Sequence, residues 1–232
     1  MARTGVEVTV TPLGSRVHDG VRRRWQALQE PPHSETTAAF WADVRARHPR
    51  FVDAVVADAR TAAERLGDRR PYASRLDACL LAVRLSIVRD AFLALVCYRA
   101  KAACQARRIP VLPRILHRLA IVLGQIAIGD PVVVQPGIYI PHGQVVVDGI
   151  AEVQPGVALL PFVTIGLRAG SAEGPTIGPG AQIGTGAKVL GPVRIGGGAR
   201  VGANAVVLSD VPEGATVVGV PAAVVGDGVS GV

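Results

Sequence analysis

Apolar and polar positions along this chain follow two different periods, and the change falls near Ile126. Before it, apolar residues recur three and four apart, the spacing of a helix face. Ser34 reads as an N-cap ahead of a run through Phe40, Trp41 and Val44, which His48-Pro49 ends. A second run, Phe51 to Leu66, carries Val52, Val55, Val56 and Ala59 and stops at Gly67. A long third run is expected over about Ala73–Arg107, with Leu76, Leu80, Val83 and Ile87 forming one apolar stripe. Pro110 and Pro113 close it, and Leu112 to Leu123 makes a last short helix. Residues 1–33 show little pattern.

After Ile126 the period becomes six. Ile128, Val134 and Ile140 open the series; Val147, Val153, Leu159 and Ile165 continue it, followed by Ile177, Ile183, Val189, Ile195, Val201 and Val207. Gly follows the aliphatic at 129, 166, 178, 184, 196 and 202. A six-residue repeat with one inward aliphatic cannot be a helix; it suits a short strand and a tight corner, stacked in successive coils as a parallel β-solenoid. Two places break the rhythm. From Ile140 to Val147 the step is seven, and the stretch holds His142, the only histidine of this half. Between Ile165 and Ile177, Ser171 takes an aliphatic slot, so Leu167 to Thr176 reads as a loop leaving the coil, in preference to a degenerate repeat with an inward Ser.

Composition agrees with the two halves. The 232 residues are 49% hydrophobic and 4% aromatic, as aliphatic ladders require, and 22 of the 27 glycines follow Ile126. The formal charge of +7 divides into +10 before Ile126 and −3 after it. Only Lys101 and Lys188 are lysines; the other basic residues are arginines spread among acids, with no stacking aromatics between them, so the basic surplus is read as helix surface and no nucleic-acid partner is expected. Cys79, Cys97 and Cys104 form neither a CxxC nor an even set, and are read as small buried side chains in a reducing cytoplasm. His18, His33, His48 and His117 stand at no metal-ligand spacing. Met1 to Val17 has no apolar core of signal-peptide length, and Arg84, Arg89 and Asp90 interrupt the most apolar stretch, so no membrane span is expected.

Val163-Thr164-Ile165-Gly166, Ile177-Gly178 through Gly191, Ile195 to Asp210, the ending Gly219-Val220-Pro221-Ala222 and Tyr98-Arg99 resemble the hexapeptide-repeat acyltransferases, and among them the serine acetyltransferases, over roughly Asp90 to Val225. The resemblance implies an α+β chain: an N-terminal α-helical module (1–124), a C-terminal left-handed parallel β-helix with three strands to the coil (125–225), and a flexible tail (226–232). It implies an enzyme that moves the acetyl group of acetyl-CoA to the hydroxyl or amine of a small-molecule acceptor, with no metal, as a homotrimer or a dimer of trimers.

By the same resemblance His142 is the general base, with Asp130 and Asp148 the nearest carboxylates to orient it, since the family's aspartate position is Ala127. Arg168 and Glu173 fall in the acceptor loop. Where the family has Asp-Arg-His-Pro this chain has Ala172-Glu173-Gly174-Pro175 in a shorter loop, which opens the choice of an acceptor other than serine. Gly166, Leu167, Gly184, Thr185, Gly202 and Ala203 match coenzyme A positions, and Arg200 matches a lysine that meets a phosphate; read on their own, the small residues are repeat corners. A noncatalytic scaffold is the competing reading. The γ-class carbonic anhydrases share the fold but need three histidines, and this half has one.

Overall fold

The computed structural model describes residues 35–68, 70, 72, 74–169, 171 and 173–225. The Ser34 cap, His18, His33, the unpatterned stretch 1–33 and the tail 226–232 lie outside the described residues.

Five helices come first: α1 (Glu35–Arg47), α2 (Phe51–Arg65), α3 (Arg75–Val88), α4 (Asp90–Ala106) and α5 (Leu112–Gly124). His48-Pro49 separates α1 from α2, as a proline after a helix end does. Past α2, Gly67 takes a φ of 76° and lets Asp68 N–H reach back to the Ala63 carbonyl. Ser74 caps α3 reciprocally with Asp77.

The long third run is not one helix. Arg89, at φ −136° and ψ 107°, is extended and divides it into α3 and α4. No Gly or Pro marks the break, so the apolar spacing runs through it unaltered. The stripe also faces outward: Leu76, Leu80, Val83 and Ile87 are exposed, Ile87 by 78%, while Ala78 is buried and Leu81, Ala82 and Leu85 pack with α2 and Phe92. Small residues let the helices approach closely there, and the bulkier stripe is left on the surface.

The second half is a parallel β-helix with three sheets. The first holds β1 (Ile126–Ile128), β3 (Val145–Val147), β6 (Thr164–Gly166), β9 (Lys188–Leu190) and β12 (Val206–Val207). The second holds β2 (Val133–Val134), β4 (Ile150–Val153), β7 (Glu173–Ile177) and β10 (Arg194–Ile195). The third holds β5 (Ala158–Leu159), β8 (Gln182–Ile183), β11 (Arg200–Val201) and β13 (Thr216–Val218), and ends with β14 (Ala223–Val224), which pairs antiparallel. Val147 pairs with Ile165 and Ile177 with Ile195, eighteen residues on in each case, so three hexads make a coil. The aliphatics of the six-residue series are buried in one continuous core.

Both breaks in the rhythm are resolved by register. Ile128 pairs with Val147, nineteen residues on, so the His142 stretch adds one residue. Ile165 pairs with Val189, twenty-four residues on, so six residues leave the coil between them. Six residues therefore leave the coil, as a loop does and a degenerate repeat does not; residues 173–176, read from the sequence as part of it, instead open β7.

A stack of parallel coils leaves backbone polar groups unpaired at its first edge. Here α4 and α2 satisfy them. Tyr98 Oη donates to Val132 O at 3.1 Å, Arg99 donates to the carbonyls of Val134 and Gln135, and Lys101 Nζ donates to Ile128 O at 2.6 Å. The buried Asp58 carboxylate pairs with Arg99 at 2.8 Å and accepts Gly137 N–H and Ile138 N–H at 2.8 and 2.9 Å. Burial pushes the Tyr98 phenol up to about 12, so it stays a donor.

Arg99→Ala leaves Asp58 charged, buried and half satisfied, and should destabilise the chain by about 3–5 kcal/mol, read as a lowered urea midpoint. His48 gives a pH signature. Burial, then the nearby Arg99, Lys101 and Arg47, hold its pKa down at about 4. The unfolded chain protonates it near ~6.5. The folded state thus favours neutral imidazole; stability is full above about pH 6.5 and falls as pH drops toward 4. His48→Phe should flatten that part of the curve, seen by comparing Tm at pH 7 and about pH 4.5.

Candidate functional site

His142 lies where the third sheet turns into the first. That corner carries one left-handed residue per coil: Gln144, Phe162, Gly186 and Asn204, with φ between 56° and 74°. Two positions before each stand His142, Leu160, Gly184 and Gly202; one position before stand Gly143, Pro161, Thr185 and Ala203. The added residue in the first coil thus puts His142 at the head of the edge that carries Gly184, Thr185, Gly202 and Ala203. A Cβ at Gly184 would stand 2.5 Å from Val201 O, so that position admits no side chain.

His142 is exposed and makes no hydrogen bond with any described residue. Its corner is clamped from behind. Gln144 and Val145 N–H both reach the Gln125 carbonyl, at 3.0 and 3.2 Å. A Cβ on Gly143 would stand 1.8 Å from Gly124 O, at the end of α5, so the backbone packs directly on the helix. Gly124 in turn lies against α4, where a Cβ would meet the Asp90 carbonyl oxygen at 2.8 Å. The helical region therefore sets the position of the imidazole.

The other expected residues fall elsewhere. Asp130 and Asp148 sit at the corner where the first sheet turns into the second. The strand β3 lies between that corner and His142, a span of ~10 Å. Asp130 is also engaged: its carboxylate is 2.8 Å from Lys101 Nζ. Burial raises the Asp130 pKa, but the charge and hydrogen bond of Lys101, with Gln105 and His117, together leave it lowered. Within one chain, neither carboxylate stands beside His142; the periodicity could not reveal this, because the corner a residue occupies depends on the register. Ala127, in β1, pairs with Val146 and offers no carboxylate.

Gly166 ends β6, and Leu167 and Arg168 follow it at the same corner as Asp148. The Leu167 side chain packs under Gly149, and the Arg168 stem lies against Gly191, 3.2 Å from the position of a Cβ there. Glu173 begins β7, its N–H donating to Ser171 Oγ at 3.2 Å. Arg200 is exposed on β11 between Gln182 and Thr216. The structure thus groups one set of expected residues with His142 and a second set across the first sheet.

The helical residues that build the cap and clamp were only partly visible in the sequence. Tyr98-Arg99 stood out; Asp58 and Lys101 did not. Asp58 is a charge amid Val55, Val56 and Ala59, and Lys101 is one of two lysines, set between Cys97 and Cys104. A charge on an apolar helix face is the signal that marks such a residue.

Residues 174–209 match the family described as bacterial transferase hexapeptide (six repeats). The fold and repeat thus place the β-helix among the hexapeptide-repeat transferases. Over 133 residues, 56% of this chain, it is 40% identical to a serine acetyltransferase of Helicobacter pylori strain J99, spanning 77% of that protein. A serine acetyltransferase of Synechococcus elongatus is 40% identical over 138 residues, 58% of this chain and 56% of the relative's length. Soybean serine acetyltransferase complexed with serine superposes with a TM-score of 0.63 at 30% identity, over 90% of this chain and 96% of that one. The chain belongs to the serine acetyltransferase family.

Gly143→Ala tests the clamp. A methyl group has no room against Gly124 O, so the corner must shift while the coils below keep their ladder. Activity should fall at least tenfold in roughly the way a ~1 Å misplacement costs, with the far-ultraviolet circular dichroism spectrum unchanged.

Proposed function

We propose that this protein is an acetyl-CoA-dependent O-acetyltransferase of the serine acetyltransferase type, with His142 as its general base. What carries the reading is His142 itself: the one histidine of the β-helix, exposed at a corner widened by one residue and held from behind by Gly124. Neutral imidazole accepts the proton of the acceptor hydroxyl as its oxygen attacks the thioester carbonyl. The tetrahedral intermediate collapses with loss of the coenzyme A thiolate, which takes that proton back from the imidazolium. The small residues Gly184, Thr185, Gly202 and Ala203 leave the same edge open to the pantetheine arm, and the step as written needs no metal.

The two separated sets of residues support a homotrimer, in which the His142 edge of one copy faces the Gly166–Arg168 corner of the next. Doubling through the helices gives the dimer of trimers, and an exposed α3 stripe suits it. The coils are taken as left-handed, the helical module as 1–124, the β-helix as 125–225, and the compartment as cytoplasm; among the described residues no helix is long and apolar enough to cross a membrane. The acceptor loop favours a second reading as well. Glu173-Gly174-Pro175 does not carry the basic pair of the family motif, which supports an acceptor other than serine, such as a specialised metabolite.

Thiol release from acetyl-CoA with a panel of amino acids and amines tests both. Turnover with serine supports the first reading; turnover with amines and none with serine supports the second. His142→Ala should lower kcat by about 10²–10⁴. Unchanged turnover would remove His142 as base, and failure to bind acetyl-CoA at all would favour a scaffold.

A further inference from the structure

We propose that Arg89 and Asp90, at the junction of α3 and α4, hold the carboxylate and the ammonium group of a zwitterionic acceptor beside His142. The inference rests on the reading of His142 as the base. It assigns to the helical region the anchoring of the acceptor, beside a loop that lacks the basic pair of the family motif.

Three observations lead to it. First, position: the Asp90 carbonyl abuts Gly124, and Gly124 O abuts Gly143, next to His142. Arg89 lines a small cleft with Leu66, Phe92, Tyr139, Ile140 and Pro141, the last two leading directly into His142. Second, charge: among the described residues, the arginines without a hydrogen bond or ion pair are exposed except Arg45 and Arg89, which are half-buried, and only Arg89 borders the His142 corner. A guanidinium partly withdrawn from water and unpaired gains from a carboxylate, which it can hold through two parallel N–H donors. Asp90 also has no partner among the described residues, so the two opposite charges stand side by side and uncommitted. Third, backbone: Arg89 is extended between two helices, and Asp90, the first residue of α4, is exposed, whereas Ala91, Phe92 and Ala94 behind it are buried.

Arg168, the charged residue of the loop, lies with its stem on Gly191 at the other corner. Within one chain it does not reach the His142 edge, and in the proposed trimer it comes from the next copy, whereas the α3–α4 junction borders that edge in the same chain. Arg89 and Asp90 thus select for an acceptor carrying both an anionic and a cationic group close to its hydroxyl.

The test uses the full chain, with L-serine, ethanolamine (no carboxylate) and 3-hydroxypropionate (no amine), each followed by calorimetric binding and by thiol release. The parent protein should bind serine better than either analogue. Arg89→Ala should raise the Kd and KM for serine about tenfold or more, with kcat and the KM for acetyl-CoA and ethanolamine unmoved, and Arg89→Lys should recover part of the loss. Asp90→Asn should erase the preference over 3-hydroxypropionate alone. An unchanged serine Kd in Arg89→Ala, a loss shared equally by serine and ethanolamine, or a parent that binds none of the three overturns the proposal. The binding isotherms need no chemistry, so they decide Arg89 and Asp90 separately from turnover in His142→Ala, which decides the base.

Discussion

The unpaired edge of the first coil is the constraint around which the molecule is built. Each later coil is closed by its neighbours; the first has no coil above it, and its carbonyls of Ile128, Val132, Val134 and Gln135 face α4. Leaving several such groups buried without partners would cost a few kcal/mol in sum, comparable to the stability of a domain. Tyr98, Arg99 and Lys101 satisfy the acceptors, and Asp58 satisfies the two N–H donors and neutralises Arg99. Desolvating that ion pair is expensive, and its backbone hydrogen bonds are what make it tenable. The helical region is therefore the terminal coil's substitute as much as a neighbour.

The same helices reach the proposed base. One side of α4 caps the coil; its first turn, through Gly124, backs the corner of His142. Folding and placement of the imidazole are thus coupled through backbone surfaces that tolerate no added carbon. The solenoid alone provides the edges and the small corners; the helices decide where the added residue of the first coil comes to rest.

The repeat was readable because a β-helix writes its inward positions at a fixed interval: Ile177, Ile183, Val189, Ile195, Val201 and Val207 are all buried where the period puts them. The breaks around His142 and after Ile165 were readable as interruptions of that interval, and register gives them sizes of one and six residues. Two things were not legible. The division at Arg89 leaves no mark, because a single extended residue alters direction without altering apolar spacing, and the exposed stripe of α3 has the same periodicity as a buried one. The corner that a residue occupies is also invisible in the chain order: Asp130 and Asp148 stand close to His142 in sequence and across a sheet from it in space. The pairing of Asp58 with Arg99 spans 41 positions and follows no local rule.

The excursion between Ile165 and Val189 amounts to one hexad, and the ladder resumes below it with Gly166 opposite Leu190 as though nothing had intervened. Its residues contribute no rung to the solenoid. Its sequence can be revised, lengthened or erased without renegotiating the architecture, which makes it the part of the β-helix most free to drift during evolution while the scaffold stays constant.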